Sequence, residues 1–320
     1  VARIAGVSPI TVSRVVNRPE LVKPQTVELV QRAIARTGYV PNLLAGGLAS
    51  RRSRLVAAIV PTVTNSIFVE TVQALTDTLW SSRYQLVLGL TGYSSREDAL
   101  VTAILSRRPD ALFIVGVNHS PETRRRILSA RIPVVEAWDL TTTPLDMVIG
   151  FSHEELGRAV ADHLVARGYR RLAMIWADDE RATRRRRGFE SALARHGLAP
   201  VGASVTAAPS TLRAGRQGLA ALLDRGVRAD VVVCSSDTFA HGALAEAQSR
   251  GIAVPGRLGV MGFGDLEFAG DTVPALSTVR IDRDAIGRLA AEALLASLEG
   301  RPPHEKVVDI GFRILDRETT

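Results

Sequence analysis

The sequence predicts an α/β chain: an N-terminal helix-turn-helix module, a short linker, and a two-lobed core built on two doubly wound parallel sheets. Three observations predict it. The net charge of +7 over 320 residues sits entirely in the first 54, where nine Lys/Arg meet two acids. Residues 2–17 carry the punctuation of two short helices joined by a tight turn. From Leu55 onward, short apolar runs alternate with helical segments in two sets of roughly 100 residues each, the pattern of parallel strands covered by helices on both faces.

In the module, residues 1–38, Gly6 ends the first helix because glycine enters the left-handed region without a Cβ clash. Ser8 caps the second helix and Pro9 fits its first turn. Val12, Val15 and Val16 share one face. Ile10, Ser13, Arg14 and Asn17 share the other, with no acid among them. Asn17-Arg18-Pro19 stops the helix. Apolar behind and small polar or basic in front is the layout of a recognition helix. Any small amphipathic helix pair shares that pattern; the charge distribution is what favours nucleic acid, since the remaining 266 residues balance at 31 basic and 31 acidic. A third helix is expected over Pro24–Thr37, with Val27, Val30, Ala33 and Ile34 inward and Gly38 closing it. The linker, residues 39–54, runs through Leu43–Ser50 with room for about two helical turns. Its adjacent Gly46 and Gly47 each cost about 1 kcal/mol against alanine in a helix. It is expected to be unfolded alone and helical at Ala45–Ala49 only when docked; a plain flexible linker is the equal alternative.

The core, residues 55–320, offers strands at Leu55–Val60, Gln85–Leu90, Ala111–Val115 and Val134–Glu136, with helices near Ile67–Ser82, Arg96–Arg108 and Pro121–Ala130. The second set has strands at Arg171–Ile175, Val201–Thr206, Asp230–Cys234 and Gly259–Phe263. Its helices lie near Glu154–Arg167, Arg184–His196, Thr211–Arg225 and Phe239–Arg250. Asp284–Glu299 is helical and Val307–Leu315 extended, crossing back between the lobes. Lobe 1 is expected over about 55–152 and 278–303, and lobe 2 over about 153–277 and 304–320. Ligands of such folds bind at the carboxyl ends of strands, here in the cleft between lobes.

Composition narrows the function classes. One cysteine, Cys234, excludes a disulfide framework and a cysteine-rich metal site. It ends the apolar run Val231–Val233 and reads as a buried strand residue. There is no Gly-rich phosphate loop, no metal-spaced His/Cys cluster and no Ser-His-Asp order that the fold would support. His153 beside Glu154 reads as a helix start. No catalytic residue, metal or cofactor is therefore expected, and no enzyme. No stretch is apolar enough to span a membrane, no membrane partner is expected, and the expected location is cytoplasmic. The chain lacks an initial Met and starts inside the first helix, so it reads as missing a short N-terminal piece. No leucine heptad follows Asp316–Thr320, so a homodimer without a higher state is expected.

Four motifs carry a family resemblance: Ala-Gly-Val-Ser-Pro-Ile-Thr-Val-Ser-Arg-Val-Val-Asn (5–17), Gly-Tyr-Val-Pro-Asn (38–42) followed by Leu-Ala (48–49), Gly-Phe-Ser-His-Glu (150–154) and Val-Met-Gly-Phe (260–263). With them the chain resembles the lactose/galactose-repressor family of bacterial transcription regulators over essentially its full length. Residues 61–68, 132–139 and 144–152 look most like gluconate-utilisation repressors. The resemblance implies a periplasmic-binding-protein-like core and a dimer on a near-palindromic operator. It implies a linker helix in the minor groove, with Leu48 wedged between base pairs. The missing start would remove phosphate contacts that the family makes.

The DNA-binding candidates are Ser8, Pro9, Ile10, Thr11, Ser13, Arg14, Asn17, Tyr39, Asn42, Ala45 and Leu48. Arg14 offers paired donors to guanine, and Ile10 an apolar contact to a thymine methyl. For the effector, the resemblance points to Arg181 and Arg185, placed where family arginines face the ligand. Arginine pairs with a carboxylate through two parallel hydrogen bonds. Arg184 to Arg187 form a run on one helix, so most of them must be solvated. Phe68, after Asn65-Ser66-Ile67, offers an apolar wall. Trp138 and Asp139 follow a strand end, and tryptophan stacks on a sugar's C–H face. Ser236 and Asp237 follow the strand ending at Cys234; Asp237 either accepts hydroxyl protons or caps the next helix. Neutral-sugar relatives commonly carry an acid where Gly264 stands. Its absence favours an anionic ligand, with Asp265 able to swing in. The expected effector is gluconate or a close sugar acid. The rival reading is an exported two-lobed sugar-binding protein of a transport system, which would need an export signal and no basic helical module.

Overall fold

The computed structural model describes residues 1–40, 52–64, 66–93 and 96–320. It divides into two compact units, Val1–Ser53 and Arg54–Thr320. Asn42, Ala45 and Leu48, the helix expected at 45–49, and Asn65 lie outside the described residues.

The first unit holds α1 (Ala2–Ala5), α2 (Pro9–Asn17) and α3 (Pro24–Thr37). The Ser8 hydroxyl accepts from the Thr11 amide at 3.2 Å, and Gly6 and Gly38 close their helices in the left-handed region. Val12, Val15 and Val30 form a small core, joined by Val27 and Ile34. A core this small limits stability, since few side chains are wholly removed from water.

The second unit opens with β1 (Leu55–Val60), a 3₁₀ turn (Ser66–Phe68), α4 (Val69–Ser81), β2 (Gln85–Leu90), α5 (Glu97–Leu105) and β3 (Ala111–Val115). It continues with α6 (Pro121–Ala130), β4 (Val134–Ala137) and β5 (Met147–Gly150). Then follow α7 (His153–Ala166), β6 (Leu172–Asp178), α8 (Glu180–Arg195), β7 (Gly202–Ala207), α9 (Leu212–Asp224), β8 (Val231–Cys234), α10 (Asp237–Ser249) and β9 (Gly259–Met261). The last elements are β10 (Thr278–Arg280), α11 (Arg283–Leu298), β11 (Val307–Asp309) and β12 (Arg313–Leu315). The first lobe's sheet has the order β11-β5-β4-β3-β1-β2 and the second lobe's β7-β6-β8-β9. Every pairing in both is parallel. Strands β3, β4, β5 and β8 are buried along their whole length, which is why they read as unbroken apolar runs.

Two expectations about the late elements are corrected. Val307–Leu315 is not one extended segment of lobe 2. Val307–Asp309 pairs with Val148–Gly150 at the edge of the first sheet, and a turn at Gly311 sends β12 to pair antiparallel with β10. Thr278–Arg280, expected in lobe 1, instead continues the second lobe, with bridges Met261–Ser277 and Gly264–Arg280. The chain thus passes between lobes near 150–153, 280–283 and 309–313.

Candidate functional site

Two helix starts build the cleft. Ser152 caps α7, accepting from the Glu155 amide at 3.2 Å, so His153 is its first residue. Asp179 caps α8, accepting from the Ala182 amide at 3.0 Å, so this helix begins at Glu180, earlier than the expected Arg184. Arg181 therefore sits in the first turn, just beyond the carboxyl end of β6. The two helices cross in close contact. A Cβ at position 157 would overlap the carbonyl oxygen of Arg185, and one at 188 that of Glu154; both positions are glycine. This approach brings His153 and Arg185 together.

Arg185 is 6% exposed. Its Nη1 donates to His153 Nδ1 at 3.0 Å and its Nη2 to the Ser235 carbonyl at 3.2 Å, and its Cζ lies 4.0 Å from the Phe263 ring centroid. Its Nε is buried with no hydrogen-bond partner. Burial lowers the guanidinium to about 10, still charged at neutral pH. His153 Nε2 donates to the Trp138 carbonyl at 2.8 Å, which leaves Nδ1 as the acceptor for Arg185. Burial and the neighbouring guanidinium push the imidazole well below its ordinary value, so it is neutral.

The other walls are aromatic. Phe68 meets Trp138 edge-on at 5.0 Å, and the Arg181 guanidinium lies 5.5 Å from the Phe68 centroid. The Tyr93 phenol is hydrogen-bonded to Arg181, and burial raises it despite that cation. Together with Ile67, Ser210 and Ser236 these groups line a narrow cleft with a cavity volume of about 40 Å³. One lobe reaches the other through α8: Arg184 holds Asp139 at 3.1 Å, and Glu180 accepts from Asn118.

Of the expected effector residues, Phe68, Trp138, Arg181, Arg185 and Ser236 line the cleft. Asp139 does not; its carboxyl is committed to Arg184 and the Leu140 amide. Asp237 is not in the cleft wall and caps no helix, the cap being Ser236. One oxygen accepts from Thr278 Oγ1 at 2.5 Å and the other from the Leu266 amide at 2.7 Å, and burial raises the carboxyl to about 6. Asp265 does not swing in. Arg280 and Arg317 hold its oxygens at 2.6 and 2.7 Å in a separate charged hollow. Gly264 also stands outside the cleft. Its φ of +126° is one that side-chain-bearing residues rarely adopt, so glycine is required by the backbone and not by an anionic ligand.

The residues missed were Tyr93, His153, Asp179, Ser210, Ser235 and Phe263. Each lies within three residues of the carboxyl end of a strand, from β2, β5, β6, β7, β8 and β9, and that positional rule is the available signal. In the first unit, Ile10 is 66% exposed and Ser13 and Arg14 are exposed beside it, on the face opposite Val12 and Val15. Pro9 is also exposed, Thr11 half-buried and hydrogen-bonded to Ser8, and Tyr39 exposed. The Asn17 side chain lies outside the described residues.

Residues 1–42 match the family described as bacterial regulatory proteins, lacI family, and residues 161–320 match a periplasmic binding protein-like domain. The chain is 39% identical to the HTH-type transcriptional regulator GntR of Pseudomonas aeruginosa over 100% of its own length and 94% of the relative's. A LacI-family transcriptional regulator from Silicibacter pomeroyi superposes with a TM-score of 0.94 at 34% identity, covering 99% of this chain and 97% of that one. The lac repressor dimer bound to operator and the anti-inducer ONPF superposes at 0.85 with 25% identity, covering 100% and 97%. The exported binding protein gains no support from relatives that are regulators along their whole length. The chain belongs to the lacI family of bacterial transcription regulators and is a GntR-like repressor.

Proposed function

We propose that this repressor is a cytoplasmic homodimer on operator DNA, and that its effector is a small sugar acid of the gluconate type held between the lobes. The observation that supports the effector class is Arg185 Nε, a buried cationic donor with no partner, beside a second guanidinium, Arg181. A buried unmatched donor costs about 1–3 kcal/mol, more when charged, and a carboxylate oxygen removes that cost. Trp138, Phe68 and Phe263 supply apolar faces for the C–H side of a polyol chain. On the DNA side, Arg14 and Ile10 read the major groove and Leu48 wedges into the minor groove.

Ligand-linked lobe movement alters operator affinity only if the ligand binds one lobe arrangement better than another. A coupling of about 1–3 kcal/mol corresponds to a 5- to 150-fold change. Calorimetry on the full-length protein compares gluconate with glucose, followed by operator binding with each. Gluconate is expected to bind at least tenfold tighter and to change operator affinity. Asp179, a carboxylate in the cleft, supports the neutral-sugar alternative; equal or tighter glucose binding would favour it and reject the sugar acid.

A further inference from the structure

We propose that Thr71 is a positioning residue that ties the floor of the effector cleft to the chain crossing between the lobes. The proposal rests on the reading of the cleft as the effector site. Trp138 forms part of that floor and has φ +67°, a left-handed conformation that costs a tryptophan about 1–3 kcal/mol. Three hydrogen bonds hold it there. Its amide donates to the Ile149 carbonyl at 3.2 Å, its carbonyl accepts from His153, and its indole Nε1 donates to Thr71 Oγ1 at 3.2 Å. The first two are fixed by strand and helix. The third leaves the cleft.

Thr71 stands in the first turn of α4, 1% exposed. Its hydroxyl accepts from Trp138 and donates to the Arg283 carbonyl at 2.9 Å, so its one proton and one of its two lone pairs are engaged. Arg283 is the first residue of α11 and lies just after a crossing. Its side chain forks onto Glu70 at 2.7 and 2.8 Å, while Nη1 and Nη2 donate to the carbonyls of Gly264 and Asp265 at 2.7 and 3.0 Å. Asp265 in turn anchors Arg280 and Arg317. Gly264 and Asp265 belong to the second lobe, and Glu70, Thr71 and Trp138 to the first. A ligand that shifts the indole must therefore break or move the bond to Thr71. That bond bears on the residue gripping the second lobe's backbone.

Hydrogen exchange on the full-length, effector-free protein tests it. Thr71→Val keeps the shape and removes the hydroxyl; Thr71→Ser restores it. In Thr71→Val, the amides of residues 262–266 should exchange about tenfold faster, the effect of one buried hydrogen bond. Those of β6, remote in the second lobe, should not change, and Thr71→Ser should return the wild-type rates. Uniformly faster exchange, or unchanged rates at 262–266, or a serine variant as fast as the valine one, would overturn the role. Trp138→Phe removes the indole donor while leaving Thr71 in place. It should speed the same segment even if Thr71→Val does not fold, and an unaffected segment there also overturns the link. Addition of gluconate should protect 262–266 in the wild type and several-fold less in Thr71→Val. A wild type that does not bind gluconate rejects the sugar-acid reading alone, because the effector-free rates still decide the role of Thr71.

Discussion

Replacing Arg185 with methionine should separate binding from stability. Methionine keeps the stem as far as the ε position, stops short of the guanidinium that lies over Phe263, and deletes every side-chain N–H. Two terms oppose each other in the fold. The Ser235 carbonyl and His153 Nδ1 lose their donor, at roughly 1–3 kcal/mol each if left unmatched. Against this, burial has lowered the guanidinium from its ordinary value to about 10. That shift corresponds to about 3 kcal/mol by which the folded state disfavours the charge, a cost that methionine removes. The net change in stability should stay within about 2 kcal/mol. Binding has no such offset. Truncating one member of a buried charge pair costs about 2–5 kcal/mol. With two of the three guanidinium nitrogens already engaged by protein, the lower part applies: about 2–3 kcal/mol, or a 30- to 150-fold loss of gluconate affinity. Glucose, with no carboxylate, should weaken far less. Calorimetry with both sugars, alongside urea unfolding, reads all three quantities. A gluconate loss below threefold, or equal losses for the two sugars, refutes the pairing. A stability loss above about 4 kcal/mol would show that Arg185 is there mainly for the fold.

Gly157→Ala should push α8 off α7 and pull Arg185 from His153. A loss above about 3 kcal/mol in unfolding free energy is expected, with an outright drop in effector affinity; a fully stable variant with normal binding contradicts the close crossing. Asp237 gives a pH signature. Its carboxyl is raised to about 6 in the fold, so protonation favours the folded state. Its contribution to stability is greatest at low pH and is lost as pH rises from about 4 to 6, by about 3 kcal/mol in all. Denaturant titrations of wild type and Asp237→Asn should therefore diverge across that window and run parallel above it; parallel curves throughout would place the proton elsewhere. Arg14→Ala should cost about 1–3 kcal/mol on operator and relax preference at one base pair. Anisotropy titrations showing equal loss on random DNA would make Arg14 a phosphate contact.

The strands and helices of both lobes were legible because each repeats a simple signal: a buried apolar run, then a capped amphipathic helix. Ser8 and the left-handed Gly6 and Gly38 were readable for the same local reason, whereas the cap expected at Asp237 falls on Ser236. What failed was long-range. Asp237 and Asp265 both follow strand ends in the second lobe, and position alone sends both into the cleft. Their actual partners, Thr278, Arg280 and Arg317, lie 41, 15 and 52 residues away, and no local pattern announces them. Val307–Leu315 reads as one extended run because strands in two different sheets have the same composition; only Gly311 hints at the break. His153 was read as a helix start, which it is. Its second role depends on Arg185, 32 residues on, at a glycine-mediated crossing visible only in three dimensions.

The placement of β11 has a consequence during synthesis. The edge strand that completes the first lobe's sheet is added 254 residues after Leu55 begins it, and everything between includes most of the other lobe. From Gly150, where β5 ends, to Asp309 the chain must still be made, so at translation rates of 5–20 residues per second the first sheet waits roughly 8 to 32 s, with the β5 edge unpaired, before its last neighbour leaves the ribosome. Open strand edges are the surfaces on which nascent chains pair wrongly. A short interruption in translation anywhere between β5 and β11 lengthens that exposure for a lobe that is otherwise already made.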